Sequence, residues 1–192
     1  MDGHALRRLG ARRCTPLAHR LPHWRYHRPL PSSLVLVPLS LLAAAGLYWG
    51  APVVAERATD EAAAALERQA FDSLAAARAR EGLPPLQFRG DALRVARSHS
   101  RDMARRAYFS HYTPERLGPG GRLDAAGIPW TRYGEDVARV RGARTSEAVV
   151  AAWLASPENR ANALAPDLTG GAIGVACAED GVYHVTLVML RP

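Results

Sequence analysis

Lysine is absent from this chain of 192 residues, and all 25 basic residues are arginine. That absence reflects compositional bias rather than function. Cysteine is nearly absent too: only Cys14 and Cys177 occur, which excludes a disulfide-rich scaffold. Charge is missing altogether from Pro29 to Ala55. Histidine is scarce after residue 28, where only His99, His111 and His184 remain. The formal net charge of +7 is also unevenly placed. Residues 1–28 hold seven Arg against one Asp, whereas residues 56–192 hold 18 Arg against 17 acids. The C-terminal part is thus close to neutral, which argues against nucleic-acid binding. A hydrophobic content of 48% with 22% charged residues describes a globular chain. There is no internal repeat.

What is present divides the chain into three parts. Residues 1–28 are rich in Arg and His, lack apolar periodicity, and read as a basic, disordered cytoplasmic tail. Residues 29–55 are uncharged and long enough to cross a bilayer, which takes roughly 20 apolar residues. Tyr48 and Trp49 would sit in an interfacial belt. Two readings stay open: an uncleaved signal-anchor, which the long tail favours, or a signal peptide cut after Val53-Val54-Ala55. Arginines before the run put the N-terminus inside and the domain outside. The protein is then expected in the cell membrane with its domain outside the cytoplasm, or secreted if the segment is cleaved. On that topology Cys14 and Cys177 lie on opposite sides of the membrane, and no intramolecular disulfide is expected.

Residues 56–192 are expected to form one extracytoplasmic, monomeric domain. A long helix spans 56–81, with Leu66, Ala70, Leu74 and Ala77 on one face and Gly82 as its cap. A second helix starts near Asp91 as N-cap. Residues 113–121 are a loop by composition, and a short turn runs from Arg122 to Ala126. Trp130 to Val140 reads as extended, and residues 145–155 as a helix. Ser156-Pro157 opens another turn or helix. Two strands, 172–178 and 182–190, flank the hairpin signal Glu179-Asp180-Gly181. The second is apolar on both faces, which implies a sheet covered on both sides.

The chemistry gathers between Arg97 and His111. Leu93, Ala96, Met103 and Ala107 recur with helical spacing, which places His99 at the edge of an apolar stripe. His111 follows Tyr108 and Phe109, where that pattern ends. His99, His111 and Glu135 offer two imidazoles and a carboxylate, a set that suits zinc. Their spacing is loose, so the competing reading is a satisfied polar pair in which His99 donates to Glu135. Ser98, Ser100 and Ser110 flank the histidines, but no nucleophile elbow exists. Cys177 reads as a small core residue, and His184 as a core or cleft-floor histidine.

Several short motifs occur in a recognisable order. They are His99-Ser100-x-Asp102-Met103-Ala104, Phe109-Ser110-His111, Arg122 with Ala126-Gly127-Ile128, Gly134-Glu135, Ala148-Val149-Val150 with Trp153, Ser156-Pro157-x-x-Arg160-Ala161-Asn162, and Ile173-Gly174-Val175. Together, over roughly residues 65–190, they resemble a bacterial SCP domain of the CAP superfamily. That superfamily comprises cysteine-rich secretory proteins, antigen 5 and pathogenesis-related class 1 proteins. The resemblance implies an α+β fold, a three-layer α-β-α sandwich around a central antiparallel sheet, and secretion or surface display. It also implies a cleft lined by two His and two acids that binds divalent metal in some relatives. Lipids and proteins are the partners it implies.

Two departures bear on that cleft. The family's G-E-N is Gly134-Glu135-Asp136 here, and its S-P-G-H-R is Ser156-Pro157-Glu158-Asn159-Arg160. A carboxamide at Asn159 is a poor zinc ligand. The expected cleft therefore comprises His99, His111, Glu135, Asp136 and Asn159, with His99, His111 and Glu135 as candidate ligands for a divalent metal such as zinc. The preferred function is a non-enzymatic binding module for a lipid, cell-wall or protein partner, attached to the membrane through residues 29–55. The alternative is a metal-dependent hydrolase using the His99/Glu135 cleft.

Overall fold

Alanine, glutamate and arginine dominate the first helix, and all three favour helical backbone. In the computed structural model, which describes residues 51–141 and 146–192, this helix is α1 (Ala51–Arg80). It begins inside the uncharged segment, five residues before the expected start at residue 56. The rest of that segment and residues 1–28 lie outside the described residues, as does Cys14. Among the described residues no helix is long and apolar enough to cross a membrane. Ala70, Leu74 and Ala77 are buried as the spacing requires. Gly82 adopts a left-handed φ of 72° just beyond the helix, and the Leu83 N–H donates back to the Arg78 carbonyl at 2.9 Å.

The remaining elements are β1 (Gln87–Phe88), α2 (Gly90–Arg106), α3 (Pro119–Ala125), β2 (Arg132–Arg141), α4 (Ser146–Ala155), α5 (Pro157–Ala163), β3 (Gly170–Cys177) and β4 (Val182–Arg191). The four strands form one sheet in the order β1-β3-β4-β2. β2, β4 and β3 pair antiparallel, as expected, while the two-residue β1 adds a parallel edge, so the sheet is mixed. β4 is apolar on both faces because each face is covered. Val185, Leu187 and Met189 join the core under α1, α4 and α5, around Trp153 and Leu74. Val188 and Leu190 join a second core with Ala92, Val95 and Ala96 of α2 and Leu123 of α3. This is the expected α-β-α sandwich.

Some local expectations are corrected. Asp91 is not the N-cap of α2: Arg89 holds that place without a side-chain cap, and Asp91 accepts from the Arg89 guanidinium at 2.6 Å. Ala107 is not on the apolar stripe. It is the exposed, left-handed residue that ends α2, with φ 54°. Cys177 is disulfide-bonded, not the unpaired core thiol that the topology argument expected.

α2 sits unusually close to the sheet. A Cβ on Gly174 of β3 would fall 2.2 Å from the Arg97 nitrogen, so only glycine permits this approach. The Ser100 hydroxyl donates to the Gly174 carbonyl at 2.9 Å and lies 2.8 Å from the Thr186 hydroxyl. These buried bonds fix the rotation of α2 and aim His99, one residue before Ser100. On the other side of the sheet, the buried Arg78 reaches four carbonyls, of Pro84, Ala163, Ala165 and Leu168, and ties α1 to the chain leading into β3.

Candidate functional site

Glu135 is the hub. It lies on β2 opposite Val188 of β4, and cross-strand partners share a face, so its carboxylate points toward α2. Both of its oxygens are taken. Oε1 accepts from His111 Nδ1 at 2.9 Å, and Oε2 pairs with the Arg122 guanidinium. His99 comes near but does not bond: its Nε2 is 4.0 Å from Oε1. That nitrogen donates instead to the Ser110 carbonyl at 2.9 Å. A carbonyl only accepts, so the His99 proton sits on Nε2. The expected meeting of His99 and Glu135 is an approach of 4.0 Å rather than a hydrogen bond, and it is His111 that bonds the carboxylate.

Arg122 completes the frame. Its guanidinium also donates to the carbonyls of His111 and Leu117, both at 2.9 Å, and so clamps the loop after α2 onto the carboxylate. The family-like motifs contained Arg122, but nothing in its spacing marked it as the partner of Glu135. Tyr108 closes the rim: its hydroxyl donates to Asp102 at 2.6 Å and lies 3.5 Å from His99 Nδ1.

The two histidines are tuned apart. Burial pushes the His99 imidazole below its ordinary value, against the pull of the Glu135 carboxylate. His111 is half-buried, and its hydrogen bond to Glu135 raises it. His99 is therefore a neutral donor at neutral pH, and His111 the member of the pair that gains a proton.

Asp136 and Asn159 do not join this cluster. Asp136 opposes Leu187 and points to the other face of the sheet, where it accepts from Asn162 of α5 at 3.1 Å. It is fully buried, its Oδ2 has no partner, and burial pushes its carboxyl up to about 7. Asn159 is also on α5, which packs on that same far face, and it does not border the cavity beside His99. His184 is buried on the near face with Nδ1 unbonded, its ring 6.5 Å from that of Phe109.

As arranged, the Glu135 carboxylate and the His99 Nε2 are engaged within the protein, while the His111 Nε2 is not. Arg122 and His111 occupy the carboxylate, and His99 Nε2 is spent on a carbonyl. Among the described residues no three His, Cys, Asp or Glu side chains are grouped to hold a metal ion. Beside the frame lies an open cavity of about 690 Å³, bordered by His99, Arg122, Ser98, Thr113 and Leu117.

This arrangement of helices and sheet is that of a known family. The model of the Cysteine-rich secretory protein family (CAP) matches residues 71–190, and the chain belongs to that family. It is 35% identical over 136 residues to "Uncharacterized protein YkwD" of Bacillus subtilis (strain 168), covering 68% of this chain and 51% of that protein. Among solved structures, it is similar to an extracellular protein containing a SCP domain from Bacillus anthracis str. Ames. The identity is 31% and the TM-score 0.58, with 70% of this chain and 43% of that one covered. An outer surface protein from Borrelia burgdorferi shares the fold at 18% identity and a TM-score of 0.55, over 63% of this chain and 88% of that one. The chain thus spans about half the length of the curated relative it matches.

Proposed function

We propose that this chain is an extracytoplasmic CAP-domain binding module, held at the membrane by residues 29–55 or released by cleavage there. Its lipid, cell-wall or protein partner docks in the cavity beside His99. The carrying observation is the self-satisfied frame: Glu135 gives one oxygen to His111 and the other to Arg122, while His99 is bonded to the Ser110 carbonyl. In such a frame both carboxylate oxygens and the His99 Nε2 are already engaged within the protein. The placement outside the cytoplasm draws support from the Bacillus anthracis relative, described as extracellular. A hydrolase built on His99 and Glu135 draws less support, because catalysis through metal would first have to break both bonds to the carboxylate.

The test is elemental analysis of the purified full chain after dialysis against zinc-containing buffer. The binding-module reading expects far less than one zinc per chain. One zinc per chain, lost in the His111→Ala variant, would overturn it.

A further inference from the structure

One edge of α2 is basic where it passes His99. Arg94, Ser98, Arg101 and Arg105 follow one another at intervals of four, three and four residues, so they share a stripe of the helix. All four border the 690 Å³ cavity, whose size falls within the range of small-molecule sites. Five arginines and two carboxylates line it. Arg106 is taken by Glu115 at 2.5 Å and approached by Asp102 at 3.5 Å. Arg122 is taken by Glu135. No acid remains for the other three. Arg101 and Arg105 have no hydrogen-bond or ion-pair partner among the described residues, and Arg94 makes only a 3.5 Å contact with the Gly90 carbonyl of its own helix.

The neutral balance of the domain makes this local excess meaningful. Most other described arginines have a partner, such as Arg97 with Glu67, Arg132 with Asp167 and Arg160 with Glu81. Arg101 and Arg105 stand four apart, a spacing at which like charges weaken a helix. An anion between them would relieve that repulsion. The other wall is apolar, formed by Leu117, Ala125 and Ala126, with Leu117 exposed.

We propose that this cavity binds a phosphate-bearing amphiphile. Arg94, Arg101 and Arg105 hold the phosphate, and the apolar body lies against Leu117, Ala125 and Ala126. Guanidinium forks match phosphate oxygens two at a time, which suits Arg for this task. The proposal rests on reading the cleft as a binding site, and it names the chemistry of the ligand.

Calorimetric titration of the full chain in a zwitterionic detergent tests it, with three probes: inorganic phosphate, dihexanoyl phosphatidic acid and dihexanoyl phosphatidylcholine. Phosphatidic acid is expected to bind at least tenfold more tightly than phosphatidylcholine. The double variant Arg101→Gln/Arg105→Gln should lose at least tenfold in that affinity. The control Arg68→Gln/Arg80→Gln makes the same charge change on exposed positions of α1 and should retain it. Equal binding of phosphate and phosphatidic acid, with the same loss in the double variant, would overturn the amphiphile and leave a site for free phosphate. Unchanged affinity in the double variant would overturn the proposal and place the binding in the Arg-rich residues 1–28. Zinc content is independent of these titrations, so the two failures are distinguishable.

Discussion

Glu135 and Asp136 are consecutive on β2, yet they serve opposite faces of the sheet. Glu135 faces α2 and is bonded by His111 and Arg122, while Asp136 faces α5 with one oxygen unpaired. Strand alternation imposes this: adjacent side chains must diverge, so two neighbouring acids cannot line one cleft. Asp136 is thus an isolated buried carboxyl, raised to about 7 by burial.

That isolation has a thermodynamic signature. The unfolded carboxyl titrates near 3.9, so between pH 4 and 7 the native state holds a proton that the unfolded state has released. Stability from this group is greatest below pH 4 and falls as pH rises to about 7. Asp136→Asn removes that titration and keeps the contact with Asn162. The variant should gain on the wild type across this interval, on the order of 1–4 kcal/mol by pH 8. Urea melts at pH 4.5, 6 and 8 measure it; a gain that does not grow with pH would contradict the assignment.

His111 carries a second, smaller pH dependence. Its bond to Glu135 raises its value in the folded state, so the charged pair contributes fully below about pH 6.5 and fades as pH climbs through the raised value. The ring is half-exposed, which holds the contribution to about 1 kcal/mol or less. His111→Ala should therefore cost more stability at pH 5.5 than at pH 9. Equal costs at the two values would mean that the ring pairs with nothing.

Gly174 is the seat of α2. Any side chain there meets the backbone of Ala96 and Arg97, which cannot yield as a flexible side chain would. Gly174→Ala should cost roughly 1–3 kcal/mol or more. It should also displace the His99 ring, since Ser100 bonds the Gly174 carbonyl. Thermal unfolding and the His99 side-chain resonances report the two effects; wild-type values for both would contradict the seating.

Periodicity and turn chemistry exposed most of the fold. The two-sided apolar pattern of β4 implied a sheet covered on both faces, the family resemblance implied that helices cover it, and Glu179-Asp180-Gly181 marked the hairpin that Gly181 makes with φ 80°. β1 was not legible, because two exposed residues carry no pattern and their pairing depends on Gly170 and Gly171, more than 80 residues away. Arg78 was not legible either. A buried arginine bonded to four carbonyls has the same local sequence as a solvated one. For the site, the spacing in α2 turned His99 inward, and Glu135 lay in the right strand. Assigning partners required tertiary geometry: Ser110 intercepts His99, and Arg122 arrives from α3 to share Glu135 with His111.

The most direct measurement is the nitrogen-15 spectrum of the histidine side chains in the full chain, recorded with and without zinc at pH 7.5. The geometry predicts a neutral His99 with its proton on Nε2, donated to Ser110, and a His111 with its proton on Nδ1, facing Glu135. Both signals should stay in place when zinc is added. Loss of the His99 Nε2 proton, or a shift of both rings to metal-bound values at one zinc per chain, would contradict the account and make the frame a metal centre.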